Sequence, residues 1–129
     1  MCSKGALQKY INKQKDPLPE ATILSALYQS CRALECAQEW NFIHCGLKPS
    51  NFLLSPSGTL KLSDYGLSHI NTLAPLAKPR TKGRDTSDTV RCMSPGKGEK
   101  EELFSHKSDM WSLGATFYEL ITLKKAYPQ

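Results

Sequence analysis

Apolar residues along the chain recur at spacings that predict helices in three stretches. The longest stretch runs from Glu20 to about Trp40, and Glu20 lies in its first turn, where the helix dipole favours an anion. Its apolar positions follow helical spacing at Ile23, Leu27, Cys31 and Leu34, and the neighbouring Leu24 and Tyr28 widen the stripe. We expect this stripe to be buried and to anchor the core.

The two other helical stretches differ in character. Leu7 to Ile11 has apolar residues at offsets of three and four and predicts a short helix. Lys107 to Ile121 has apolar residues on nearly every side, which predicts a helix at the centre of the core, with Ser108 as its N-cap. If nothing covers this last helix, we expect it to expose an apolar patch.

Two short apolar runs lie in the middle of the chain. Phe52-Leu53-Leu54 and Leu60-Lys61-Leu62 flank Ser55-Pro56-Ser57-Gly58, whose proline and glycine positions suit a type I turn. The pattern predicts a small β-hairpin. Together with the three helices, the sequence predicts an α+β fold that is mostly helical.

Composition narrows the classes of protein and partner. The 129 residues include 17 Lys and Arg against 12 Asp and Glu, a formal charge of +5. The segment 67–93 is rich in basic, hydroxyl and proline residues, so we expect an exposed loop. Its basic residues between Lys78 and Arg91 have no interleaved aromatic residues for base stacking, so no nucleic-acid partner is expected. The alternative to a solvated loop is a functional anion-binding patch. The longest apolar stretch, Met110 to Leu123, is too short for a bilayer and contains Glu119, so no membrane partner is expected.

The five cysteines form no C-x-x-C pair and no metal spacing with histidine. Neither a zinc site nor a disulfide framework is expected. The predicted location is a reduced, cytoplasmic or other intracellular compartment.

Two short motifs indicate the chemistry. Ile43 to Leu54 and Leu62 to Gly66 resemble the catalytic loop and the magnesium-binding loop of the eukaryotic protein kinases, H-R-D-L-K-P-x-N and D-F-G. The matching positions in the first motif are His44, Leu47, Lys48, Pro49 and Asn51. The Lys-x-x-Asn spacing favours the serine/threonine branch, and the resemblance implies a partial C-terminal lobe of a protein kinase.

Two positions of the first motif depart from the family. Gly46 stands where the family carries the catalytic aspartate, which acts as general base, and Cys45 stands where it carries an arginine. Losing a positioned acid or base typically costs about 10²- to 10⁴-fold in rate. A thiol also cannot replace a guanidinium that pairs with a phosphorylated activation loop.

The resemblance assigns roles to the remaining site residues. Asn51 and Asp64 would offer oxygen ligands to Mg²⁺ at the end of the hairpin, although both residue types also favour turns for local reasons. Lys48 would meet a phosphate. Thr89, counted back from Ser94-Pro95-Gly96, matches the threonine that serine/threonine kinases set against the catalytic aspartate and lysine, so Lys48 would be its remaining partner.

Two further positions concern the support of the catalytic loop. The resemblance implies that Asp109 hydrogen-bonds to the backbone near His44, a packed structural residue. The alternative role for Asp109 is a first-turn carboxylate that serves the helix dipole.

The resemblance covers nearly the whole chain, so residues 1–129 are expected to form one protein-kinase-like fragment. We expect it to run from the helix after the hinge to the central helix of the large lobe, without the N-terminal lobe and the last helices. No Gly-rich loop or V-A-I-K-like strand precedes His44. Mg²⁺ and ATP are implied by the resemblance alone, and this chain by itself is expected to bind neither.

The expected function is that of a catalytically impaired serine/threonine-kinase-like chain, a pseudokinase that acts through protein–protein contacts. The alternative is a weakly active ATP-dependent protein kinase, when the segment is part of a longer chain.

Overall fold

A computed structural model describes residues 5–64, the backbone of residues 69–70, residue 92 and residues 105–127. In chain order its elements are α1 (Leu7–Ile11), α2 (Glu20–Glu39), β1 (Phe42–Ile43), a 3₁₀ helix (Pro49–Asn51), β2 (Phe52–Leu54), β3 (Leu60–Leu62), β4 (His69–Ile70) and α3 (His106–Thr122). The predicted class, α+β and mostly helical with a small hairpin, is confirmed.

The α2 helix has the predicted extent, but its buried face is different from the predicted one. Leu34 is buried as expected, whereas Cys31 is exposed and Ser30 is buried in its place. The Ser30 hydroxyl is compatible with burial because it donates a hydrogen bond of 2.8 Å to the Ala26 carbonyl. A buried serine gives no apolar signal, so this position was missed.

The other positions of the predicted stripe agree in part. Ile23 and Leu27 pack against the core as predicted, whereas Leu24 and Tyr28, which were expected to widen the stripe, are exposed.

The predicted hairpin forms between β2 and β3. The strands pair antiparallel, with Phe52 opposite Leu62 and Leu54 opposite Leu60. The turn closes through a 3.1 Å bond from the Gly58 amide to the Ser55 carbonyl, and Gly58 has a φ of 83°, which glycine adopts readily. The hairpin places the residues before β2 next to those after β3.

A second strand pair was not predicted. β1 pairs antiparallel with β4, with Phe42 opposite Ile70 and Ile43 opposite His69. The segment from 67 to 93 was predicted as an exposed loop, and β4 and the buried Cys92 contradict this within it. The rest of that segment lies outside the described residues.

The α3 helix begins two residues before its predicted N-cap. Ser105 is the cap, with its hydroxyl accepting a 3.4 Å bond from the Ser108 amide, so the prediction of Ser108 was wrong. The helix ends at Thr122, and Leu123 follows in the left-handed conformation with a φ of 56°.

Only one side of α3 is buried, contrary to its prediction as a helix surrounded by core. Leu113, Phe117 and Leu120 are buried, while Met110, Tyr118 and Ile121 are exposed. The expected apolar patch is therefore present on the outer side of this helix.

All three helices, the hairpin and the loop before it contribute to one core. Its buried members are Leu7, Ile11, Leu18, Leu34, Leu47, Phe52, Leu60, Leu113, Phe117 and Leu120. Leu47 and Phe52 flank the 3₁₀ helix, and each is 1% exposed. The core therefore fixes both ends of the segment that carries the candidate site.

Among residues 5–64 and 105–127, no helix is both long enough and apolar enough to cross a bilayer. Over the same ranges, no group of three His, Cys, Asp or Glu residues is placed to hold a metal ion.

Thr116 of α3 carries a buried hydroxyl with no hydrogen-bond partner, within the part of the chain that the structure describes. A buried polar group without a partner costs about 1–3 kcal/mol. We therefore expect Thr116→Val to raise the free energy of unfolding by about 1 kcal/mol, measured by urea denaturation.

Thr122→Val on the same helix is the matched control. The Thr122 hydroxyl donates a 2.8 Å bond to the Tyr118 carbonyl, so its removal should bring no gain in stability. Equal effects of the two substitutions would contradict the assignment of a buried hydroxyl that lacks a partner.

Candidate functional site

The candidate site lies on the loop between β1 and β2. Ile43, His44 and Leu47 are 0%, 0% and 1% exposed, so the loop is packed into the protein along most of its length. Pro49 opens the 3₁₀ helix at a position where its missing N–H costs nothing. The burial fixes the loop backbone before any ligand is present.

Asp109 of α3 connects this loop to the core helix. Its Oδ2 accepts a 2.8 Å bond from the His44 amide, and its Oδ1 accepts a 3.0 Å bond from the Cys45 amide. The carboxylate is buried, at 4% exposed. The predicted contact of Asp109 with the backbone near His44 is therefore confirmed.

Cys45 adopts a strained backbone at this point. Its φ of 64° lies in the left-handed region, which costs about 1–3 kcal/mol for a residue other than glycine. The Cys45 amide and the amide of the preceding residue both donate to Asp109, and these bonds support the conformation. The Cys45 thiol is buried and donates to the Ile43 carbonyl at 3.6 Å.

Gly46 is held on both sides by hydrogen bonds. Its amide donates to the His44 Nδ1 at 3.3 Å, and its carbonyl accepts from the Asn51 Nδ2 at 2.7 Å. Because Nδ1 is the acceptor, the His44 ring carries its proton on Nε2, which donates to the Ser63 carbonyl at 3.0 Å. The loop therefore has a fixed backbone at a position without a side chain.

The hairpin brings the chain segments around Asn51 and Asp64 together. The Ser63 amide donates to the Asn51 carbonyl at 2.8 Å, and Asp64 is the next residue, exposed and with a φ of 64°. The Ser63 hydroxyl donates to the same carbonyl at 2.9 Å. Sequence reasoning missed Ser63, whose one signal was a hydroxyl residue directly before the motif aspartate.

The other predicted site residues are only partly described. Lys48 is 9% exposed with an extended backbone, and its carbonyl accepts a 2.9 Å bond from the Asn51 amide. Thr89 lies outside the described residues, as do Tyr65, Gly66 and the 94–96 segment. The structure therefore joins Gly46, Lys48 and Asn51 in one loop and leaves the role of Thr89 a prediction.

The donor set suits a magnesium ion. The Asn51 amide nitrogen is used by the Gly46 carbonyl, which leaves the side-chain oxygen as the atom that a cation can take. Asp64 adds a carboxylate at the solvent edge. Mg²⁺ is commonly bound through one or two such oxygens and keeps waters or phosphate oxygens as its other ligands.

Asp109 in the first turn of α3 holds the loop, and the hairpin joins the loop to Asp64. This is the arrangement of a protein-kinase large lobe. The sequence matches the family described as protein tyrosine and serine/threonine kinase over residues 1–129. The chain belongs to this family.

Several curated serine/threonine-protein kinases are similar to the chain. Nek1 of Mus musculus is 36% identical over 128 residues, which is 98% of this chain and 10% of that protein. RUNKEL of Arabidopsis thaliana is 36% identical over 121 residues, 94% of this chain and 8% of the relative. The nekl-2 kinase of Caenorhabditis elegans is 34% identical over 133 residues, which is 95% of this chain and 35% of the relative. The chain therefore spans only a minor part of the length of these relatives.

Proposed function

We propose that this chain is a serine/threonine-protein-kinase-like segment that is impaired in phosphate transfer and acts through contacts with other proteins. The observation that carries the proposal is the geometry of Gly46. Its backbone is fixed by bonds to His44 and Asn51, and the residue has no side chain with which to orient a substrate hydroxyl or accept its proton.

The residues around Gly46 keep their supporting roles in this proposal. Asn51 and Asp64 would hold Mg²⁺, which neutralises charge on the phosphates when it is bound. Lys48 would lie near the transferred phosphate, with Thr89 as its neighbour. Within a longer chain that binds ATP, this set would orient the phosphates but would not activate the acceptor hydroxyl, so the defect would fall on the transfer step.

A weakly active kinase within a longer chain is the second candidate. The bonds of Asp109 to the loop favour it, because they preserve the backbone that a catalytic loop requires. The two candidates differ in the rate of transfer, since an acceptor hydroxyl without a general base reacts slowly.

Phosphate transfer from ATP to serine and threonine peptides tests the proposal, with the wild-type segment and a Gly46→Asp variant measured side by side within a longer chain that supplies the rest of a kinase. We expect a transfer rate near background for the wild-type chain. Transfer by the wild type at an ordinary kinase rate, about 1–100 s⁻¹, would overturn the proposal.

The exposed apolar side of α3 supports a role in protein contacts. Met110, Tyr118 and Ile121 are 54%, 49% and 47% exposed, and the Trp111 and Tyr127 rings stack beside them with centroids 6.1 Å apart. Exposed apolar patches of this kind mark interaction surfaces. We call Met110, Trp111, Tyr118, Ile121 and Tyr127 the outer α3 face.

Charges placed on the outer α3 face should weaken association. We expect the double substitution Met110→Lys and Ile121→Lys to lower the self-association of the chain at least tenfold, measured by sedimentation velocity, with a second copy of the chain serving as the protein that the face contacts. Because both side chains are about half exposed, the free energy of unfolding should change by only about 0.5 kcal/mol each.

Lys107→Glu is the control, since it changes the charge of an exposed position on the same helix outside this face. Association that is unaffected by the double substitution, or lost equally in the control, would remove the outer α3 face from the proposal.

A further inference from the structure

Ser63 makes more contacts with the catalytic-loop segment than its place at the end of β3 requires. Both its amide and its hydroxyl donate to the carbonyl of Asn51, at 2.8 Å and 2.9 Å. A pairing of extended strands needs the amide bond alone. The hydroxyl therefore adds a second hydrogen bond to the backbone of Asn51.

The carbonyl of Ser63 closes a cycle of hydrogen bonds through the loop. It accepts from the His44 Nε2 at 3.0 Å, His44 Nδ1 accepts from the Gly46 amide, and the Gly46 carbonyl accepts from the Asn51 side chain. The Asn51 carbonyl accepts from the Ser63 hydroxyl, which closes the cycle. Each member of the cycle restricts the next, so Ser63 is tied to both ends of the catalytic loop.

We propose that Ser63 is a positioning residue that sets Asn51 and Asp64 at the separation that a divalent cation requires. Asp64 follows Ser63 directly and has a left-handed backbone. The backbone orientation of Ser63 therefore determines the position of Asp64. The hydroxyl fixes the backbone of Asn51 at the same point. This inference rests on the roles of Asn51 and Asp64 under the proposed function.

The expected loss of cation affinity depends on how strictly the cation requires its ligands to be oriented. Mg²⁺ and Mn²⁺ sites made of few protein ligands depend on the orientation of each oxygen. Groups that hold metal ligands in place typically contribute 10- to 100-fold to metal affinity. Loss of one hydroxyl that acts on one of two ligands belongs at the lower end of that range.

Mn²⁺ titration of the ¹⁵N-labelled chain to millimolar concentration, followed by NMR, tests the proposal. Because paramagnetic broadening detects fractional occupancy, it measures a cation site that is too weak to retain Mg²⁺ in the isolated chain. Bound Mn²⁺ broadens nearby resonances, so the Asn51 side-chain amide and the Asp64 backbone amide report the local affinity without any measurement of activity. We expect Ser63→Ala to weaken the broadening affinity about tenfold and Ser63→Thr to retain it, because threonine keeps the hydroxyl.

Ser57→Ala is the matched control. The Ser57 hydroxyl bonds to Ser55 and Thr59 at the opposite end of the hairpin, so its loss should leave Mn²⁺ affinity unchanged. If Ser63→Ala does not fold, Ser63→Cys replaces it, since a thiol has a similar size and is a weak donor. Weakened affinity in Ser63→Cys with retained affinity in Ser63→Thr would support the proposal.

Two results would overturn it. Equal Mn²⁺ affinity in the wild type and in Ser63→Ala would show that the hydroxyl does not position the ligands. Absence of site-specific broadening in the wild type would remove both the cation site and the role of Ser63. Neither result affects the proposal of impaired transfer, which rests on Gly46 and is tested by peptide phosphorylation.

Discussion

Gly46→Asp should raise phosphate transfer to serine and threonine peptides by about 10²- to 10⁴-fold when the segment lies in a longer chain that supplies the rest of a kinase, since this is the usual contribution of a positioned acid or base. The substitution puts a carboxylate on a backbone that His44 and Asn51 already hold in place. Steady-state transfer from radiolabelled ATP, at matched protein and peptide concentrations, measures the gain.

The loop should accept the new side chain without backbone strain. Among the glycines that the structure describes, Gly5 and Gly58 have a positive φ and Gly46 does not, so an L-residue can adopt its conformation. Gly46→Asn is the matched control, because asparagine has the shape of aspartate without its charge or basicity. A gain shared by both variants would point to backbone stiffening instead of proton acceptance.

A chimaera separates the loop defect from the rest of the kinase machinery. In it, residues 1–129 replace the segment that they match in mouse Nek1, and position 46 carries Gly, Asp or Asn. A gain in the chimaera alone would show that the loop is competent once the remainder of a kinase is supplied. No gain with aspartate in either setting would contradict the assignment of the defect to Gly46.

Asp109→Ala should lower the free energy of unfolding by about 3 kcal/mol or more, since two bonds to a buried carboxylate contribute about 1.5–3 kcal/mol each. The substitution leaves the buried amides of His44 and Cys45 without their partner. It also removes the support of the left-handed Cys45. Urea denaturation gives the loss, and hydrogen exchange of the two amides shows where it arises.

A smaller loss would favour the alternative role of Asp109. A first-turn carboxylate that acts only on the helix dipole contributes about 0.3–1 kcal/mol, so a loss within that range contradicts the loop-support assignment. Asp109→Asn should fall between the two extremes, because one oxygen remains as an acceptor. Lys107→Ala, at an exposed neighbouring position, is the control for general effects on α3.

Elements with local signals were predictable from the sequence. The α1 and hairpin boundaries match because apolar spacing and a Pro-x-Gly turn specify them over a few residues. The contact of Asp109 with the loop was predictable only through the family resemblance, because its partners are far away in the sequence.

Features that leave no signal in the hydropathy pattern were missed. Ser30 is buried on α2 because its hydroxyl bonds to the preceding turn, which no hydropathy pattern reveals. The cap at Ser105 was missed because Ser108 is equally suited by residue type, and only the backbone geometry distinguishes them. The two hydrogen bonds from Ser63 to the Asn51 carbonyl depend on the hairpin register. The residues of the candidate site could therefore be predicted from the sequence, but the hydrogen bonds between them could not.

The Asp109 link also sets an order of events during synthesis. His44 and Asp109 are 65 residues apart, so at about 5–20 residues per second the ribosome needs on the order of 3 to 13 seconds to add the carboxylate after the loop. Until then the nascent chain also lacks Leu113, Phe117 and Leu120 from its core. The loop between β1 and β2 therefore lacks its final hydrogen-bond partner until the last part of this segment has been synthesised.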